Sequence, residues 1–402
     1  MAKRVLLVNK FYYPRGGDCI VVLNTEGVLR LGGLEAEVFA MEFQLNQQAR
    51  YSDLFAPEVS FGGGAANQLR ALWRTLGIGD VRKRFEAVLD EYQPDVVHLH
   101  NIHSYISPVV GQLAHKRGIR VVWTMHDYKL LCPRYDCLLD GKPCERCHQG
   151  DKFNVITHKC MKGSLPASVV AWIEALKWNR KVLQKFTDVF VCPSQFIASK
   201  MRAGGFDEAK IKVLNNFLDP VKLQRYQELG QDSLSRQDYY CYVGRLSQEK
   251  GVEALLEAAS SLPYPLKVAG RGPLETTLRD KYSKSPNIEF LGNLNADEVA
   301  QLLARARFSI MPSRCYDNNP LSVVESLCAG TPVVGAHIGG IPELIDDSSG
   351  IAFKPFDTGA MSHAISAAMD RQWNHTAIAQ AALNRFSPTT HLQSLLNDIY
   401  AL

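Results

Sequence analysis

The sequence predicts an α/β protein built from two doubly wound parallel sheets. Three observations lead to this fold class: short apolar segments rich in β-branched residues recur along the chain, helical patterns separate them, and polar residues follow many of them directly. Strands that are apolar throughout are typical of parallel sheets with helices on both faces. A chain of 402 residues has room for two such sheets, each in its own domain.

The predicted strands fall into two sets of six. The first half contains candidates at 4–9, 36–40, 96–100, 120–126, 188–194 and 211–217. The second half contains candidates at 239–244, 266–270, 288–292, 308–313, 331–336 and 350–354. Two sets of this kind predict two Rossmann-like domains. Since ligands bind outside the carboxyl ends of such strands, we expect the site in a cleft between the domains.

The domain join is predicted in the polar stretch 219–238. Residues 1–218 would form an N-terminal domain with a cysteine-rich insert at 132–160, and residues 219–386 would form a second domain. The final segment, 387–402, has the pattern of an amphipathic helix with Ser or Thr near its start.

Composition excludes some function classes. The chain has 45 basic and 41 acidic residues, a net charge of +4, which is too small to indicate a nucleic-acid partner. No apolar run approaches the roughly 18–20 residues of a transmembrane helix. The N-terminal apolar run is short and leads into a Gly-Gly turn, unlike a signal peptide, so a cytoplasmic location is expected.

Two turns in the second half have the residues of a phosphate site. Arg245 and Lys250 lie between a strand and a helix in "YVGRLSQEKG", where cations and free backbone N–H groups suit a diphosphate. Two solvated surface cations are the alternative. Gly270, in "VAGRGPLE", would allow a ligand to approach the backbone closely, although a tight loop explains it equally.

The stretch "CYDNNPLSVVESLCAGTPVV" (315–334) carries two carboxylates in an apolar setting. Pro320 is expected to start a helix that stops at Gly330, with Asp317 in the loop before it and Glu325 inside it. A buried carboxylate is costly unless it is hydrogen-bonded, and a ribose diol offers two donors to Glu325. A capping role or a salt bridge is the alternative for Glu325.

These motifs carry a specific resemblance. In order and spacing, "GRLSQEKG", "VAGRGPLE", "IEFLGNL", "FSIMPS" and "DNNPLSVVESLCAGTPVV" resemble the donor-binding domain of the family 4 retaining glycosyltransferases, which have the GT-B fold. The resemblance implies a C-terminal helix that crosses back to the N-terminal domain. The family's pair of Glu residues reads here as Asp317-x7-Glu325, and Asp317 is one methylene shorter than its family counterpart.

The resemblance implies roles for individual residues. Arg245 and Lys250 would hold the donor diphosphate, Glu325 the ribose and Asp317 the donor sugar. Backbone amides around Leu321 and Ser322 would touch the phosphates, and the turn near Leu294 would contact the base. The donor-binding set implied is Gly16, Gly17, Arg245, Lys250, Gly270, Leu294, Asp317, Asn318, Asn319, Leu321, Ser322 and Glu325.

The first half supplies the acceptor side and a histidine. In "NKFYYPRGGD", Gly16 and Gly17 leave room for a ligand, and in the family such a pair lies beside the donor phosphates; an ordinary turn is the alternative. His126, just after a strand, would face the cleft and contact the donor sugar, against the alternative of a structural histidine. Weaker candidates are His98, His100 and Asn101, and His103 is expected on the loop surface.

The catalytic set implied is His126, Asp317, Arg245 and Lys250. The resemblance favours front-face attack with retention, in which the leaving diphosphate takes the acceptor proton and the two cations stabilise the developing charge. The sequence has no Asp-x-Asp motif, so catalysis is expected to need no metal. The alternatives are a nucleotide-sugar epimerase or hydrolase of the same fold, or a non-catalytic partner that binds nucleotide sugar.

The partners expected are a nucleotide sugar, with UDP- and GDP-sugars foremost, and a carbohydrate or polyprenyl-linked acceptor in bacterial surface polysaccharide synthesis. Basic-aromatic helical patterns at 67–89 and 171–186 suggest contact with an anionic membrane surface, for instance through Trp73, Trp172 and Trp178. Ordinary core-packing helices explain these patterns equally.

The insert at 132–160 holds five cysteines. Cys132, Cys144, Cys147 and Cys160 suit tetrahedral zinc in a structural role, and Cys137 is a spare ligand together with His148 and His158. Free thiols or a redox pair are the alternative.

Overall fold

The structure is a computed structural model that describes residues 3–62, 64–231 and 236–401. Its strands are β1 (Arg4–Val8), β2 (Glu35–Phe39), β3 (Val96–Leu99), β4 (Arg120–Thr124), β5 (Leu138–Leu139), β6 (Lys142–Pro143), β7 (Val189–Cys192), β8 (Ile211–Val213), β9 (Tyr240–Val243), β10 (Leu266–Ala269), β11 (Ile288–Gly292), β12 (Phe308–Met311), β13 (Val333–Ala336) and β14 (Gly350–Phe353).

The α-helices of the described residues are α1 (Gly17–Leu31), α2 (Ala65–Thr75), α3 (Asp80–Tyr92), α4 (Val109–Lys116), α5 (Asn154–Thr157), α6 (Leu165–Lys177), α7 (Arg180–Phe186), α8 (Gln195–Ala203), α9 (Pro220–Gln231), α10 (Val252–Ser260), α11 (Glu275–Lys281), α12 (Ala296–Arg305), α13 (Leu321–Cys328), α14 (Thr358–Asp370), α15 (His375–Arg385) and α16 (Pro388–Ser394). Single 3-10 turns lie at Ser52–Leu54, Glu208–Lys210, Gln248–Lys250 and Ile341–Glu343, and a π-helical turn at Leu395–Tyr400.

Two six-stranded sheets confirm the predicted fold class. The first has the order β2-β1-β3-β4-β7-β8 and the second β11-β10-β9-β12-β13-β14. Every neighbouring pair in both sheets is parallel. All twelve predicted strands are present, and β5 and β6 form an additional antiparallel hairpin inside the cysteine-rich insert. The fold is GT-B, with two doubly wound Rossmann-like domains.

The chain divides into two compact units. The first comprises Met1–Cys137, Cys144–Asn215 and His391–Leu402, and the second comprises Leu138–Pro143 and Asn216–Thr390. The division falls three residues before the predicted join at 218/219 and groups the β5–β6 hairpin with the second unit. Most of the polar stretch 219–238 is helical, since α9 covers Pro220–Gln231.

Of the predicted C-terminal segment, His391–Leu402 belongs to the first unit and the residues before His391 to the second. Ser387 Oγ accepts a hydrogen bond from Thr390 N at 3.1 Å, which caps the start of α16. Leu395, Ile399 and Tyr400 are buried in the core of the first unit together with residues of β1, β3 and β4. The segment therefore supplies core side chains to a sheet that forms hundreds of residues earlier in the chain.

The helix after β12 differs in one detail from its prediction. Pro320 was expected to be the first helical residue, but it has φ −67° and ψ 122° and is the N-cap, so α13 begins at Leu321. Its ring still prevents the helix from extending backwards. Gly330, at φ +69°, ends the helix as predicted, because a side chain in this left-handed conformation would be strained.

The winding of each sheet reverses at one position. In the second sheet the reversal lies between β9 and β12, and in the first it lies between β1 and β3. In open parallel sheets, ligands bind outside the carboxyl ends of the strands at this switch point. The loops that follow β9, β12, β1 and β3 are therefore where functional side chains are expected.

Candidate functional site

The switch point of the second sheet joins the two halves of the predicted donor site. The 3-10 turn Gln248–Lys250 follows β9, and the loop containing Asp317 follows the neighbouring strand β12. Lys250 Nζ lies 2.5 Å from Asp317 Oδ1 and forms an ion pair with it. Ser313 Oγ donates a second hydrogen bond to the same carboxylate. Two residues that the sequence placed in separate motifs are thus in direct contact.

The Lys250–Asp317 pair is largely shielded from solvent. The side chain of Lys250 is 25% exposed and that of Asp317 is 14% exposed. Burial by itself would lower the pKa of Lys250, but the neighbouring Asp317 carboxylate leaves this pKa raised above its ordinary value. Lys250 is therefore a cation at any physiological pH, already desolvated and held in the turn where a phosphate would be bound.

Glu325 forms a salt bridge with a partner that the sequence did not identify. Its carboxylate accepts a hydrogen bond from Lys222 Nζ, which comes from the first turn of α9. The Glu325 side chain is only 12% exposed, so the lysine offsets the cost of its burial. This salt bridge was the alternative considered for Glu325, and a ribose diol would have to bind beside or in place of Lys222.

Asn319 ties the donor loop to the beginning of the second unit. Its Oδ1 accepts a hydrogen bond from Asn216 N at 3.0 Å, and its carbonyl accepts one from Asn216 Nδ2 at 2.8 Å. Asn319 is 4% exposed, and its own Nδ2 has no hydrogen-bond partner among the described residues. An unpaired buried amide donor is costly, so it marks a polar contact that a ligand could complete.

Arg245 is the exposed member of the predicted phosphate clamp. No side-chain hydrogen bond or ion pair joins it to another residue within the described ranges. Its backbone carbonyl accepts a hydrogen bond from Tyr242 Oη at 2.8 Å, which holds the loop after β9. A guanidinium presented on a fixed loop is available to an anionic ligand.

The packing of the second unit explains why residue 270 is a glycine, which the sequence alone did not reveal. At φ +130°, a Cβ on this residue would lie 2.0 Å from the carbonyl oxygen of Gly244. The close approach between the ends of β9 and β10 therefore accounts for this glycine without a ligand. Gly17 is different, because a Cβ there would meet nothing within 4 Å. The packing of the first unit therefore leaves space above Gly17, as the ligand interpretation requires.

The remaining predicted donor residues lie where the fold expectation put them. Leu321 and Ser322 form the first turn of α13, whose leading N–H groups have no partner within the helix. Leu294 follows β11 and is half-buried against the core of the second unit. Asn318 lies directly after Asp317 in the loop that precedes α13.

At the switch point of the first sheet, a hydrogen-bonded loop cluster surrounds the Gly-Gly turn. Gly16 is the N-cap of α1. Asn101, after β3, donates through Nδ2 to Asp18 Oδ2 at 3.0 Å, and its backbone N donates to Asn9 Oδ1 at 3.0 Å. These bonds fix the two loops that flank Gly17.

A stack of histidines is buried beside this cluster. The rings of His98 and His100 are 4.2 Å apart, and those of His100 and His126 are 5.2 Å apart. His98 has both ring nitrogens bonded, Nδ1 to the Tyr400 hydroxyl and Nε2 to Thr124 Oγ1, each at 2.7 Å. His100 Nδ1 lies 2.9 Å from His126 Nε2. The strand ends thus bring His126 and two of the weaker candidates together.

Burial keeps these histidines neutral. It lowers the pKa of His98 to about 3 and that of His126 to about 4, and places that of His100 well below its ordinary value. The negative charge of Asp18 opposes the effect at His126 without cancelling it. His126 can therefore act as a neutral hydrogen-bonding group at physiological pH.

The expectation for His103 is wrong. Its side chain is only 10% exposed and its ring stacks on Trp123 at 5.3 Å, so it is not on the loop surface. An imidazole ring packs well on an indole, and a loop that folds back over a strand end provides the opportunity. His103 is a structural residue of the first unit.

Aromatic side chains gather at the same edge of the first sheet, and sequence reasoning missed them. Phe43 stacks on Tyr13 at 5.5 Å and contacts Phe11 edge-on at 4.9 Å. Lys10 Nζ lies 3.2 Å from the centroid of the Tyr105 ring. Burial lowers the pKa of Lys10 to about 8. We call Lys10, Phe11, Tyr13, Phe43 and Tyr105 the aromatic–lysine cluster.

The cysteine insert is compact, and its thiols lie close to several different neighbours. Cys137 Sγ lies 3.2 Å from His148 Nε2, and Cys160 Sγ lies 3.9 Å from the carbonyl of Asn154. Cys132 hydrogen-bonds to Cys137, which lowers the pKa of Cys132 to about 7. Over the ranges that the structure covers, no three side chains of His, Cys, Asp or Glu are arranged to hold a metal ion.

Comparison with known proteins decides the family. Residues 28–222 match the model described as Glycosyltransferase Family 4, and residues 230–385 match the model described as Glycosyl transferases group 1. The chain belongs to the family 4 glycosyltransferases. The first match covers five of the six strands of the first sheet, all but β1, and the second covers all six strands of the second sheet of this glycosyltransferase.

Relatives extend over different parts of the glycosyltransferase. A Klebsiella pneumoniae protein, named as an uncharacterized 42.6 kDa protein in the cps region, is 25% identical over 360 residues, covering 85% of this chain and 87% of its own. Glycogen synthase of Mycobacterium tuberculosis (strain ATCC 25618 / H37Rv) is 33% identical over 191 residues, which is 44% of each chain.

The fold is shared with distantly related solved structures. HepE of Anabaena, solved in complex with UDP, is 17% identical and superposes with a TM-score of 0.64 over 100% of both chains. The lipopolysaccharide outer core galactosyltransferase WaaB is 14% identical with a TM-score of 0.65 over 99% of both chains. At these identities the similarity establishes the architecture alone.

We expect Lys250→Ala to abolish transfer by this glycosyltransferase with any donor, with a loss in kcat/KM of at least about 100-fold. The variant removes the buried cation and leaves Asp317 without its charged partner. Lys354→Ala is the matched control, since Lys354 is a 78% exposed lysine of the same unit and should be replaceable without loss. Near-normal turnover by Lys250→Ala would remove the phosphate assignment.

Proposed function

We propose that the protein is a retaining glycosyltransferase that moves a hexose from a nucleoside diphosphate donor, held by the second unit, to a carbohydrate or lipid-linked acceptor bound by the first. The observation that carries the proposal is the Lys250–Asp317 ion pair at the β9/β12 switch point, with Arg245 exposed in the loop that also carries Lys250. A desolvated cation, a second cation and a helix N-terminus suit a diphosphate.

The donor end of the reaction follows from these groups. The bond from the anomeric carbon to the phosphate oxygen breaks, the bond to the acceptor oxygen forms on the same face, and the released phosphate takes the acceptor proton. Lys250 and Arg245 stabilise the negative charge that develops on the leaving diphosphate. Asp317 orients the sugar hydroxyls, and Glu325 with Lys222 binds the ribose. We expect no catalytic metal.

His126 has a hydrogen-bonding role in this scheme. Its ring is neutral at the working pH, so it does not contribute charge to the transition state. A neutral imidazole can donate one hydrogen bond and accept another. We assign it the donated bond to an oxygen of the transferred sugar.

The aromatic–lysine cluster supports a carbohydrate acceptor. Tyr13 and Phe43 present stacked, half-exposed rings at the sheet edge where Gly17 leaves open space. Apolar ring faces with a few placed polar groups are typical of ligand sites. Lys10 adds a partly desolvated cation, which favours an acceptor with an anionic group such as a uronate or a phosphate.

The pathway and the donor base rest on relatives. The cps-region protein of Klebsiella pneumoniae suggests a role in bacterial surface polysaccharide synthesis, and the structures of HepE with UDP and with UDP-glucose make UDP-sugars the first donors to test, followed by GDP-sugars.

A thermal-shift screen against UDP-, GDP-, ADP- and dTDP-sugars tests the proposal. A ligand that binds only the folded state at 100 times its Kd stabilises by about 2.7 kcal/mol, so one donor class should raise Tm clearly above the others. The transfer product made from that donor should keep the donor's anomeric configuration, as read by NMR coupling constants.

Three outcomes of that screen would contradict the proposal. Free sugar released at full rate without any acceptor indicates a hydrolase, and an isomerised donor indicates an epimerase. Donor binding without any turnover indicates a non-catalytic binding partner. Tyr13→Ala separates the acceptor from the donor side, because it should reduce transfer while leaving the donor-induced thermal shift unchanged.

We also propose a structural zinc in the cysteine insert, held by Cys132, Cys144, Cys147 and Cys160. The donor set is rich in thiols, and the backbone is strained there: Tyr135 and Cys137 have φ of +74° and +52°. Such strain persists only where the surroundings enforce it. The thiols do not converge on one point in this structure, so metal binding would need them to move.

Metal analysis of the purified protein should find about one zinc per chain, and the Cys144→Ser/Cys147→Ser variant should lose it. Cys192→Ser is the control, since Cys192 is a buried cysteine of β7 outside the insert. A metal-free wild-type protein would overturn the zinc proposal without affecting the transferase proposal.

A peripheral membrane contact is a further part of the proposal. Within the described ranges, no helix combines the length and apolarity needed to cross a bilayer. On α2 and the turn after it, Leu69, Trp73 and Ile78 are 53%, 47% and 48% exposed. Arg70 is exposed on the same helix. Apolar and basic side chains exposed together suit an anionic lipid surface.

Two residues of the predicted membrane faces are buried instead. Trp178 is 6% exposed and donates through Nε1 to the carbonyl of Thr75 at 2.8 Å. Arg74 is 3% exposed and donates to the carbonyl of Tyr105 at 2.9 Å. The core-packing alternative is therefore correct for these two side chains, and the proposed contact is confined to the exposed residues.

We expect the wild-type protein to float with vesicles containing phosphatidylglycerol and not with neutral phosphatidylcholine vesicles. Leu69→Glu/Trp73→Glu should reduce the bound fraction about tenfold, because two apolar side chains no longer enter the interface. Leu31→Glu, at a leucine that is 74% exposed on α1, should bind normally. Equal flotation of both variants would place the contact elsewhere or remove it.

A further inference from the structure

The contact between His100 and His126 admits a single hydrogen bond. His100 Nδ1 and His126 Nε2 are 2.9 Å apart, and one proton lies between them. A neutral imidazole carries its proton on one ring nitrogen only, so the position of this proton also decides where the second proton of each ring is.

The two possible positions of the shared proton differ in what they leave on His100 Nε2. Its Nε2 is buried and has no hydrogen-bond partner among the described residues. If His126 Nε2 holds the shared proton, His100 must carry its own proton on Nε2 and buries an N–H with no acceptor. If His100 Nδ1 holds it, His100 Nε2 is a bare nitrogen. Orphaned buried N–H groups are the rarer defect in folded proteins, which favours the second arrangement.

The surroundings fix His100 rigidly enough for this preference to matter. Its backbone carbonyl accepts a hydrogen bond from Trp123 Nε1 at 3.0 Å, and its ring is stacked on His98 at 4.2 Å. His98 is held in turn by Tyr400 and Thr124. His100 is 1% exposed, so it cannot turn outward to pair Nε2 with bulk solvent.

We propose that His100 is a positioning residue that donates its Nδ1 proton to His126 Nε2 and thereby fixes His126 in the tautomer with the proton on Nδ1. His126 then has an N–H donor, and not a bare nitrogen, on the side of its ring away from His100. This arrangement excludes His126 as a general base through Nδ1 and suits the hydrogen bond to a sugar oxygen. The significance for catalysis rests on the proposed function, whereas the tautomer itself does not.

Neighbouring charges do not reverse the assignment. Asp18, from the first turn of α1, favours protonation of His126, while His98, His126 and His391 disfavour a cation at His100. Burial is the largest effect at all three rings and keeps them neutral. The stack therefore carries one proton per ring.

Two-bond ¹H–¹⁵N correlation spectra of histidine-labelled protein test the tautomer directly, without substrate. The signals of His126, assigned from His126→Gln, should show a protonated Nδ1 and a bare Nε2. The opposite pattern, with Nε2 protonated, would overturn the proposal whatever the activity of the enzyme.

Substitution of His100 tests its positioning role. His100→Phe keeps a ring on His98 but removes the donor, so the His126 signals should shift toward a mixture of tautomers and kcat should fall about tenfold with little change in donor KM. His100→Asn places an amide donor near the former Nδ1 and should restore both. Unchanged His126 signals in His100→Phe would contradict the role.

A matched control separates positioning from general loss of packing. His391→Asn replaces another buried histidine of the first unit, one whose Nδ1 lies 3.2 Å from the carbonyl oxygen of Asn215. It should leave the His126 tautomer unchanged. An equal tautomer change in this variant would mean that His100 acts only through stability. If the tautomer follows His100 but His126→Ala retains turnover, this inference stands and the proposed role of His126 is wrong.

Discussion

The ion pair between Lys250 and Asp317 is the interaction on which the second unit's site depends. Its members are 67 residues apart in the chain and meet because β9 and β12 are neighbours at the reversal of the sheet. Each charge alone would be costly in a setting so shielded from water, and together they offset that cost. The site is therefore assembled before a ligand arrives, and under the proposed function a diphosphate would take the place of Asp317 at a lysine that is already ordered. Glu325 on α13 and Lys222 on α9 form a second shielded ion pair in the same unit.

The candidate site of the first unit also lies at the carboxyl ends of parallel strands, but its side chains are of a different kind. There the ends of β3 and β4 bring together the neutral imidazole rings of His98, His100 and His126 instead of opposite charges. Desolvation removes the charge of each histidine, so hydrogen bonds and stacking determine their positions. The aromatic–lysine cluster along the same edge adds apolar faces and one partly desolvated cation. The candidate site of the second unit thus consists mainly of fixed charges, and that of the first unit mainly of neutral rings and hydrogen bonds with the single cation Lys10.

The hydrophobic pattern and the composition predicted all twelve strands of the two sheets, because short apolar runs between helical patterns are typical of buried parallel strands. The strand ends then located Lys250, Asp317 and His126. The contacts that could not be predicted join residues that are far apart in the sequence. Lys222, for example, lies in a polar stretch that was interpreted as the domain join, and no local pattern relates it to Glu325. His103 was misplaced because a loop residue's burial depends on how the loop folds back over Trp123. The close approach of Gly270 to Gly244 could not be predicted either, because it is visible only in three dimensions.

Tyr400 bonds His98 across a separation of 302 residues, and Leu395 and Ile399 fill the core beside β1 and β4. A ribosome makes the strands of the first sheet long before it makes these side chains. During synthesis of the second unit, the first unit therefore has part of its apolar core exposed, and His98 lacks its hydrogen bond to Tyr400. Contacts of such long range are formed late and slowly. We therefore expect newly made chains to depend most on chaperones when the second unit has been synthesised but Leu395, Ile399 and Tyr400 are still in the ribosomal exit tunnel.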